Sequence, residues 1–241
     1  MDMADAVEIS LIVPAYNEEA CIEATLVEAR AELAKLAHRF EIIAVNDGSS
    51  DGTRSVLLRL RKRMPELRVI SLKPNSGQSA ALGAGFKLSR GRILVLMDAD
   101  GQNDPADIPR LLDGLATHDV CCGYRAVRRD TAAKIIGSRI ANRIRNWALR
   151  EDIVDTGCTL KALKAHAVKD FSMWRGMHRF LPALARMNGA TIGQIPVNHR
   201  PRAAGQSKYT NLARLRETFW DLWAVRWMQK RHRRFEVEVE P

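Results

Sequence analysis

The 241-residue chain lacks any apolar run of about eighteen residues, the length a membrane-spanning helix requires. Its first stretch, Met1 to Glu8, is acidic and carries no apolar signal region, so neither a membrane span nor a secretion leader is expected. The four cysteines, Cys21, Cys121, Cys122 and Cys158, form no C-x-x-C pair, and the six histidines show no ligand spacing. A disulfide framework and a zinc site are therefore excluded, and reduced, buried thiols are expected. Neither a Walker A loop nor a Gly-x-Gly-x-x-Gly turn occurs, which removes ATPase and dinucleotide-dependent dehydrogenase readings. There is no low-complexity linker and no internal repeat. Acid is also in short supply: Asp plus Glu is 28 against Lys plus Arg 38, a net charge of +10. That surplus points to an anionic partner, either phosphates, nucleic acid or an acidic membrane surface. The basic residues are scattered and no nucleic-acid motif is present, so nucleic acid is not the expected partner.

What is present is an alternation of short apolar runs with helical patterns, the signature of an α/β fold with a mainly parallel sheet. Strands are predicted at Ile9–Val13, Glu41–Asn46, Arg68–Leu72, Arg92–Met97 and Val120–Gly123. Helices are predicted at Glu18–Ala37, Gly52–Arg63, Ser76–Leu88 and Asp107–Thr117. Asp104 before Pro105 reads as an N-cap with proline in the first turn. A basic helix follows over Thr131–Leu149, with a core stripe of Ile136, Ile140, Ile144 and Trp147 and a basic flank of Arg139, Arg143 and Arg145. Then come a strand near Cys158–Leu163, a helix near His178–Met187, a strand near Thr191–Val197, the loop Arg200–Ser207 and a Trp-rich helix over Tyr209–Lys230.

The carboxyl ends of parallel strands are where ligands sit in open sheets. Every polar cluster of this chain falls at one. Pro14 to Glu18 follows the first strand, Asn46 to Gly52 the second, Lys73 to Gly77 the third, and Asp98-Ala99-Asp100 the fourth. Side chains alternate along a strand, so Asp98 and Asp100 point the same way. Two hard oxygen ligands there suit Mg²⁺ or Mn²⁺ shared with substrate phosphates. A D-x-D pair also closes ordinary strands, and Asn46–Thr53 also reads as a turn capping the next helix through Ser49, Ser50 or Asp51.

Taken in order, Pro14-x-Tyr16-Asn17-Glu18, Asn46-Asp47-Gly48-Ser49-x-Asp51-Gly52-Thr53, Asn75-x-Gly77 and Asp98-Ala99-Asp100 resemble the family 2 glycosyltransferases of GT-A fold. Further matches are Gly123-Tyr124-Arg125, Lys134–Asn142, Asp155-Thr156-Gly157-Cys158, His178-Arg179-Phe180-Leu181-Pro182 and Gly205-Gln206-Ser207-Lys208-Tyr209. Within that family the chain is most similar to the polyprenyl-phosphate sugar transferases, dolichyl-phosphate mannose synthase-like or bacterial undecaprenyl-phosphate enzymes. The resemblance covers about residues 8 to 215 and leaves out the C-terminal membrane spans of many relatives. Where many relatives have Asp-Asp-Gly-Ser, this chain has Asn46-Asp47. The Gln-x-x-Arg-Trp signature of processive synthases is missing, which argues for one sugar per turnover.

The resemblance implies a GT-A domain over 1–208, a basic amphipathic helix and tail over 209–241, and inverting transfer by single displacement. The donor is a nucleotide sugar, with UDP favoured over GDP and a hexosyl or N-acetylhexosaminyl group; the acceptor is undecaprenyl or another polyprenyl phosphate. A GDP-mannose-dependent mannosyltransferase, and a transferase acting on a saccharide hydroxyl with Asp155 as its base, are the alternatives. Pro14, Tyr16, Glu18, Asp47, Asp98 and Ala99 are assigned to the donor, and Arg202 and Lys208 are expected to close over its diphosphate. Asp98, Asp100 and Gln102 are assigned to the metal. Arg125, Lys134, Ser138 and Arg139 are assigned to the acceptor phosphate, and Asp98, Asp100 and Arg125 are the catalytic candidates. A phosphate nucleophile is already anionic, so positioning and positive charge matter more than a strong base.

Residues 209–234 hold Leu212, Leu215, Phe219, Trp220, Leu222, Trp223 and Trp227, most of them on one broad helical face, with Arg216 and Arg226 near it. Trp with Lys and Arg at helical spacing describes an interfacial helix. The expected location is therefore cytoplasmic, peripheral on the inner face of the membrane. The anchor is anionic lipid or a small membrane protein; packing on the domain or on a second subunit also fits. Oligomeric state is left open.

Overall fold

The computed structural model describes residues 6–126, 132–168, 171, 173–201 and 211–233, with the side chains at 132–136, 139 and 211–217 outside that description. The strands are β1 (Ile9–Ala15), β2 (Phe40–Asn46), β3 (Leu67–Ser71), β4 (Ile93–Leu96), β5 (Val120–Arg125), β6 (Lys161–Lys164) and β7 (Ile192–Val197). The helices are α1 (Ile22–Ala34), α2 (Thr53–Arg61), α3 (Gln78–Leu88), α4 (Ile108–Gly114), α5 (Ala132–Leu149), α6 (Leu181–Met187) and α7 (Asn211–Arg231). Short 3-10 turns at Pro105–Asp107 and Met177–Phe180 lead into α4 and α6. Asp104 caps the first of these turns as expected, its side chain accepting the Ala106 N–H at 3.1 Å ahead of Pro105.

The seven strands form one sheet in the order β3-β2-β1-β4-β6-β5-β7. All neighbours are parallel except β6, which runs antiparallel to β4 and to β5. Chain direction turns away from β1 on both sides, to β2 and to β4, so a crevice opens above the carboxyl ends of β1 and β4. Because β6 is reversed, it begins at that same rim: Lys161 lies opposite Leu96. Reversal brings the loop before β6 to the ends of β4 and β5.

Strand alternation divides the interior in two. Ile9, Leu11, Val13, Ile42 and Ala44 face α1, α2 and α4, while Ile12, Ile43, Val45, Leu94 and Leu96 face α3 and α6. Gly85 of α3 lets that helix lie on β1, since a Cβ there would stand 2.4 Å from Ile12 Cγ2. A third, smaller core joins α5, α6 and α7 through Leu149, Met177, Phe180, Ala183, Leu184 and Val225. All four cysteines are buried and unbridged, and burial pushes the Cys121 and Cys122 thiols up to about 11.

Two helices depart from the sequence expectation. Of the stripe on α5 assigned to the core, the Ile136 side chain lies outside the described residues, Ile140 and Ile144 are exposed, and Trp147 is 83% exposed. The face that α5 buries instead carries Arg145 and Leu149, four residues apart and hence stacked one turn above the other. Arg145 is therefore not part of a solvated basic flank; it pairs with Glu151 and lies 5.6 Å from the Phe180 ring centre. On α7 Leu222 leaves the face that Phe219, Trp220, Trp223 and Trp227 share. Val225 is buried and Leu222 and Met228 pack beside it, whereas Phe219, Trp220, Trp223 and Trp227 are exposed.

Candidate active site

The loops that follow β1 and β2 are laced together. The Asn17 N–H donates to Ser49 Oγ at 3.0 Å and Glu18 N–H to Thr53 Oγ1 at 2.9 Å. In return, Ser50 N–H donates to Asn17 Oδ1 at 2.8 Å and Gly52 N–H to Glu19 Oε2 at 2.9 Å. Asn17 adopts φ 53°, a conformation asparagine tolerates, to turn its amide into this lacing. The N-cap of α2 is Gly52, which offers no side-chain cap; Asp51, one residue earlier, accepts from the Thr53 N–H and hydroxyl with its Oδ1 at 3.0 and 2.6 Å. Partial burial pushes the Asp51 carboxyl up, but these bonds outweigh it and its titration falls below the ordinary carboxylate value.

Asp47, at the end of β2, is buried and anchors the third loop. Its Oδ1 accepts Ser76 N–H at 2.8 Å; its Oδ2 accepts Gly77 N–H at 2.8 Å and Asn75 Nδ2 at 2.9 Å. A carboxylate has about four lone-pair positions, so about one is left for a ligand. Gly48 makes this closeness possible, with φ 67° and a Cβ position that would stand 2.7 Å from Asn75 N. Of the other donor candidates, Tyr16 is exposed at the rim and Glu18 half-buried. Pro14 is buried within β1, and Ala99 is buried with its carbonyl accepting from Thr25 Oγ1 at 3.3 Å.

Beyond β4, Asp98 is half-buried and Asp100 buried. The Asp98 N–H donates to Asn103 Oδ1 at 2.9 Å, and its Oδ1 accepts from Gln78 Nε2 at 3.0 Å. Asp100 Oδ1 accepts the Gln102 N–H at 3.1 Å, closing a tight turn in which Gly101 takes φ 73°. The Gln102 side chain is turned toward the end of β7, 3.4 Å from His199 Nε2 and from the Arg200 carbonyl. Asn103 and His199 pair as an isolated bridge. Arg200 is locked by Glu28 at 2.8 Å and Asp104 at 2.7 Å, contacts that outweigh the opposing effect of partial burial and hold its guanidinium even more firmly protonated than usual. Among the described residues no three His, Cys, Asp or Glu side chains form a closed metal cage. Asp98 and Asp100 fit the open kind of site, in which one or two carboxylates hold Mg²⁺ or Mn²⁺ and substrate phosphates supply the rest.

On the other side of β4, Arg125 at the end of β5 meets Asp155 as a bidentate pair, with Nε to Oδ2 at 2.6 Å and Nη2 to Oδ1 at 2.9 Å. Asp155 also accepts from Gly157 N–H at 3.1 Å. Arg125 is thus present at the rim, already matched by a carboxylate. Ser138 lies half-buried on α5, while the Lys134 and Arg139 side chains lie outside the described residues, as do Arg202 and Lys208 altogether. A cavity of about 120 Å³ opens beside Asp98, lined among others by Gln78, Thr156, Lys161, His178 and Arg179. His178 Nδ1 lies 2.8 Å from Ser79 Oγ.

Gln78, Lys161 and His199 had no role assigned from sequence. A charged residue in the apolar run Leu160-Lys161-Ala162-Leu163 is the signal that marks Lys161. His199 stands just beyond β7, a strand whose parallel pairing with β5 brings it to the same rim.

A family model described as Glycosyl transferase family 2 matches residues 10–172. The chain is 35% identical over 233 residues to a protein of Rhizobium johnstonii named dodecaprenyl-phosphate galacturonate synthase, covering 93% of this chain and 68% of that one. It is 36% identical over 216 residues to an undecaprenyl-phosphate 4-deoxy-4-formamido-L-arabinose transferase of Pseudomonas aeruginosa, covering 89% of this chain and 63% of that one. The chain therefore spans about two thirds of the length of these curated relatives. Among solved structures, glucosyl-3-phosphoglycerate synthase of Mycobacterium tuberculosis, in complex with Mn²⁺, UDP and phosphoglyceric acid, superposes with a TM-score of 0.70. That alignment covers 96% of this chain and 81% of the other at 19% identity, a likeness of fold.

Proposed function

The chain belongs to glycosyl transferase family 2, and from that premise we propose that it moves one sugar from a nucleotide sugar, UDP-linked, to a polyprenyl phosphate, with inversion at the anomeric carbon. The observation that carries this reading is the gathering of two opposite chemistries at one rim. Asp98 and Asp100 stand at the β1/β4 crevice, and Arg125 stands across β6 from them. Both curated relatives described above are named for transfer to a polyprenyl phosphate, which supports the same acceptor here.

Each residue then has a task. Tyr16, Glu18 and the remaining acceptor position of Asp47 hold the base and ribose. Asp98 and Asp100, with Gln102 beside them, would hold Mg²⁺ or Mn²⁺, which when bound neutralises charge on the departing nucleoside diphosphate. Arg202 and Lys208, which lie outside the described residues, are assigned to that diphosphate. Arg125, Lys134, Ser138 and Arg139 align the incoming phosphate. A lipid phosphate needs no general base, and the state of Asp155 supports that choice. Both its oxygens accept from Arg125, so it is poorly placed to deprotonate a saccharide hydroxyl.

The lipid brings the question of how the enzyme reaches it. No helix among the described residues is long and apolar enough to cross a membrane. The helix α7, Asn211–Arg231, supplies a surface element instead. Its exposed Phe219, Trp220, Trp223 and Trp227, together with Ile140, Ile144 and Trp147 of α5, support seating at the cytoplasmic face of the membrane.

Three measurements test the reading. With Mn²⁺ or Mg²⁺ at a hundredfold excess of nucleotide over Kd, UDP is expected to raise the melting temperature by roughly 5–10 °C and GDP by less. Labelled sugar is expected to enter an organic-extractable product only when undecaprenyl phosphate is supplied. Asp100→Asn is expected to lower metal-dependent turnover by on the order of 10²–10³ with unchanged circular dichroism. Full activity in that variant removes the metal assignment, and no response to any nucleoside diphosphate removes the enzyme itself.

A further inference from the structure

We propose that the cavity beside Asp98 seats the donor sugar and that Lys161 makes it select a sugar bearing a carboxylate, a hexuronic acid. The proposal rests on the donor reading given above. On that reading the diphosphate lies on the Asp98–Asp100 turn and the acceptor phosphate beside Arg125, so the sugar between them falls to this cavity.

Its lining is suited to a sugar. Gln78, Thr156 and His178 offer polar groups that can meet hydroxyls, over a partly apolar wall. Its charge is not suited to a neutral one. Lys161 is 4% exposed, in the layer between the sheet and α3, where its neighbours along the strand face are Leu163 and the opposing Leu96. Its ammonium donates to the Cys158 carbonyl. Among the described residues it has no carboxylate within ion-pair distance. Arg179 adds a second cation to the lining, held from α7 by Thr218 Oγ1 at 2.9 Å and facing Asp221 at 3.9 Å. The acid of the cavity is Asp98, which Gln78 holds and which would also bind the metal.

A buried ammonium without a counter-ion is a costly arrangement, and an anion delivered to it gains far more than it would in water. A hexuronate supplies one carboxylate at the rim of its ring. A neutral hexose leaves the lysine as it was. Lys161 is therefore a specificity-determining residue, and sugar acidity is the property it reads.

The experiment is a set of titrations of the whole chain with Mn²⁺ and UDP, UDP-glucose, UDP-glucuronate, UDP-galactose and UDP-galacturonate, followed by calorimetry. The uronate nucleotides are expected to bind roughly ten- to a hundredfold more tightly than their neutral counterparts, the value of one charge-assisted hydrogen bond. Lys161→Gln is expected to abolish that preference and leave affinity for UDP itself as in the wild type; Lys161→Arg is expected to keep the preference. Equal affinity for acidic and neutral sugars in the wild type overturns the proposal, as does a preference that survives Lys161→Gln. Should Lys161→Gln not fold, the wild-type comparison and Lys161→Arg decide. Failure of UDP itself to bind strikes the donor reading instead, and the sugar proposal falls with it.

Discussion

The two sides of the sheet's carboxyl rim are built on different principles. On the β1–β4 side, loops satisfy one another with hydrogen bonds: Asn17 to Ser49 and Ser50, Glu19 to Gly52, Asp47 to Ser76 and Gly77. On the β5–β7 side, the polar groups are charged, and they are matched over long distances or held buried. Arg125 meets Asp155, Arg145 meets Glu151, and Lys161 meets a carbonyl. The first side is organised before any ligand arrives. The second keeps charge in store near the place where anions must be brought together. The difference follows from the substrates proposed for each: a base and ribose ask for fixed directional contacts, whereas two anions that repel each other ask for concentrated positive charge.

The largest effect that breaks this contrast is expected at Arg145 and Glu151. Their charged atoms approach to 2.8 Å without meeting hydrogen-bond geometry, and both are buried. Burial drives the Glu151 carboxyl up and the Arg145 guanidinium down, each toward its neutral form, and their mutual attraction opposes both shifts. Such a pair is expensive to break and cheap to replace. Glu151→Ala is expected to cost about 3–5 kcal/mol in urea unfolding, while the double change Arg145→Met with Glu151→Leu is expected to be close to neutral. If the single change costs under about 1 kcal/mol, the charge is not held in the way described.

A smaller effect sharpens the other side. Asp47→Ala leaves the Ser76 and Gly77 N–H groups and the Asn75 amide without their acceptor. The expected loss is about 2–3 kcal/mol, the value of buried donors deprived of a charged partner. UDP affinity is expected to fall alongside stability, because the third loop relaxes as well as the acceptor being lost. Lost UDP affinity with unchanged stability would mean that Asp47 serves the nucleotide alone.

The same contrast explains what could be read from sequence. The loops of the β1–β4 side lie directly after their strands, so their motifs are local, and their Asp, Asn and Gly residues announce turns whatever packs above. The parallel strands and the carboxylates at the end of β4 were legible for this reason. The rest of the rim depends on pairings that no local motif announces: Arg125 with Asp155, Gln102 with His199 across 97 residues, Ser79 with His178 across 99. The reversal of β6 was not legible either, since period-two alternation is blind to strand direction. On α5, Ile140, Ile144 and Trp147 share a helical face, and spacing says nothing about whether that face meets protein or solvent. Leu149, together with the buried pair at Arg145, took the inner side.

The smallest expected effect is a pH dependence at the far end of the β5–β7 side, where charge serves the fold alone. Asp119, just before β5, accepts from the Thr191 N–H at 3.0 Å and its hydroxyl at 2.9 Å, and from Lys164 Nζ at 3.1 Å. It ties together the beginnings of β5 and β7 and the end of β6. The Thr191 N–H is the largest cause lowering its carboxyl to about 2, against some opposition from burial. A carboxyl lowered on folding binds its proton more weakly in the native state, so the stability it contributes is whole above the unfolded value, near 3.8, and is lost as pH falls through about 2. Asp119→Asn is expected to cost about 1 kcal/mol at neutral pH, a figure kept low because the group is partly solvated, and to flatten the unfolding curve between those two pH values. The Asp47→Ala variant is expected to leave that acid limb as it is in the wild type. A wild-type limb that survives Asp119→Asn unchanged would place the acid-sensitive clamp elsewhere, and the far end of this half would then be held by its apolar layers alone.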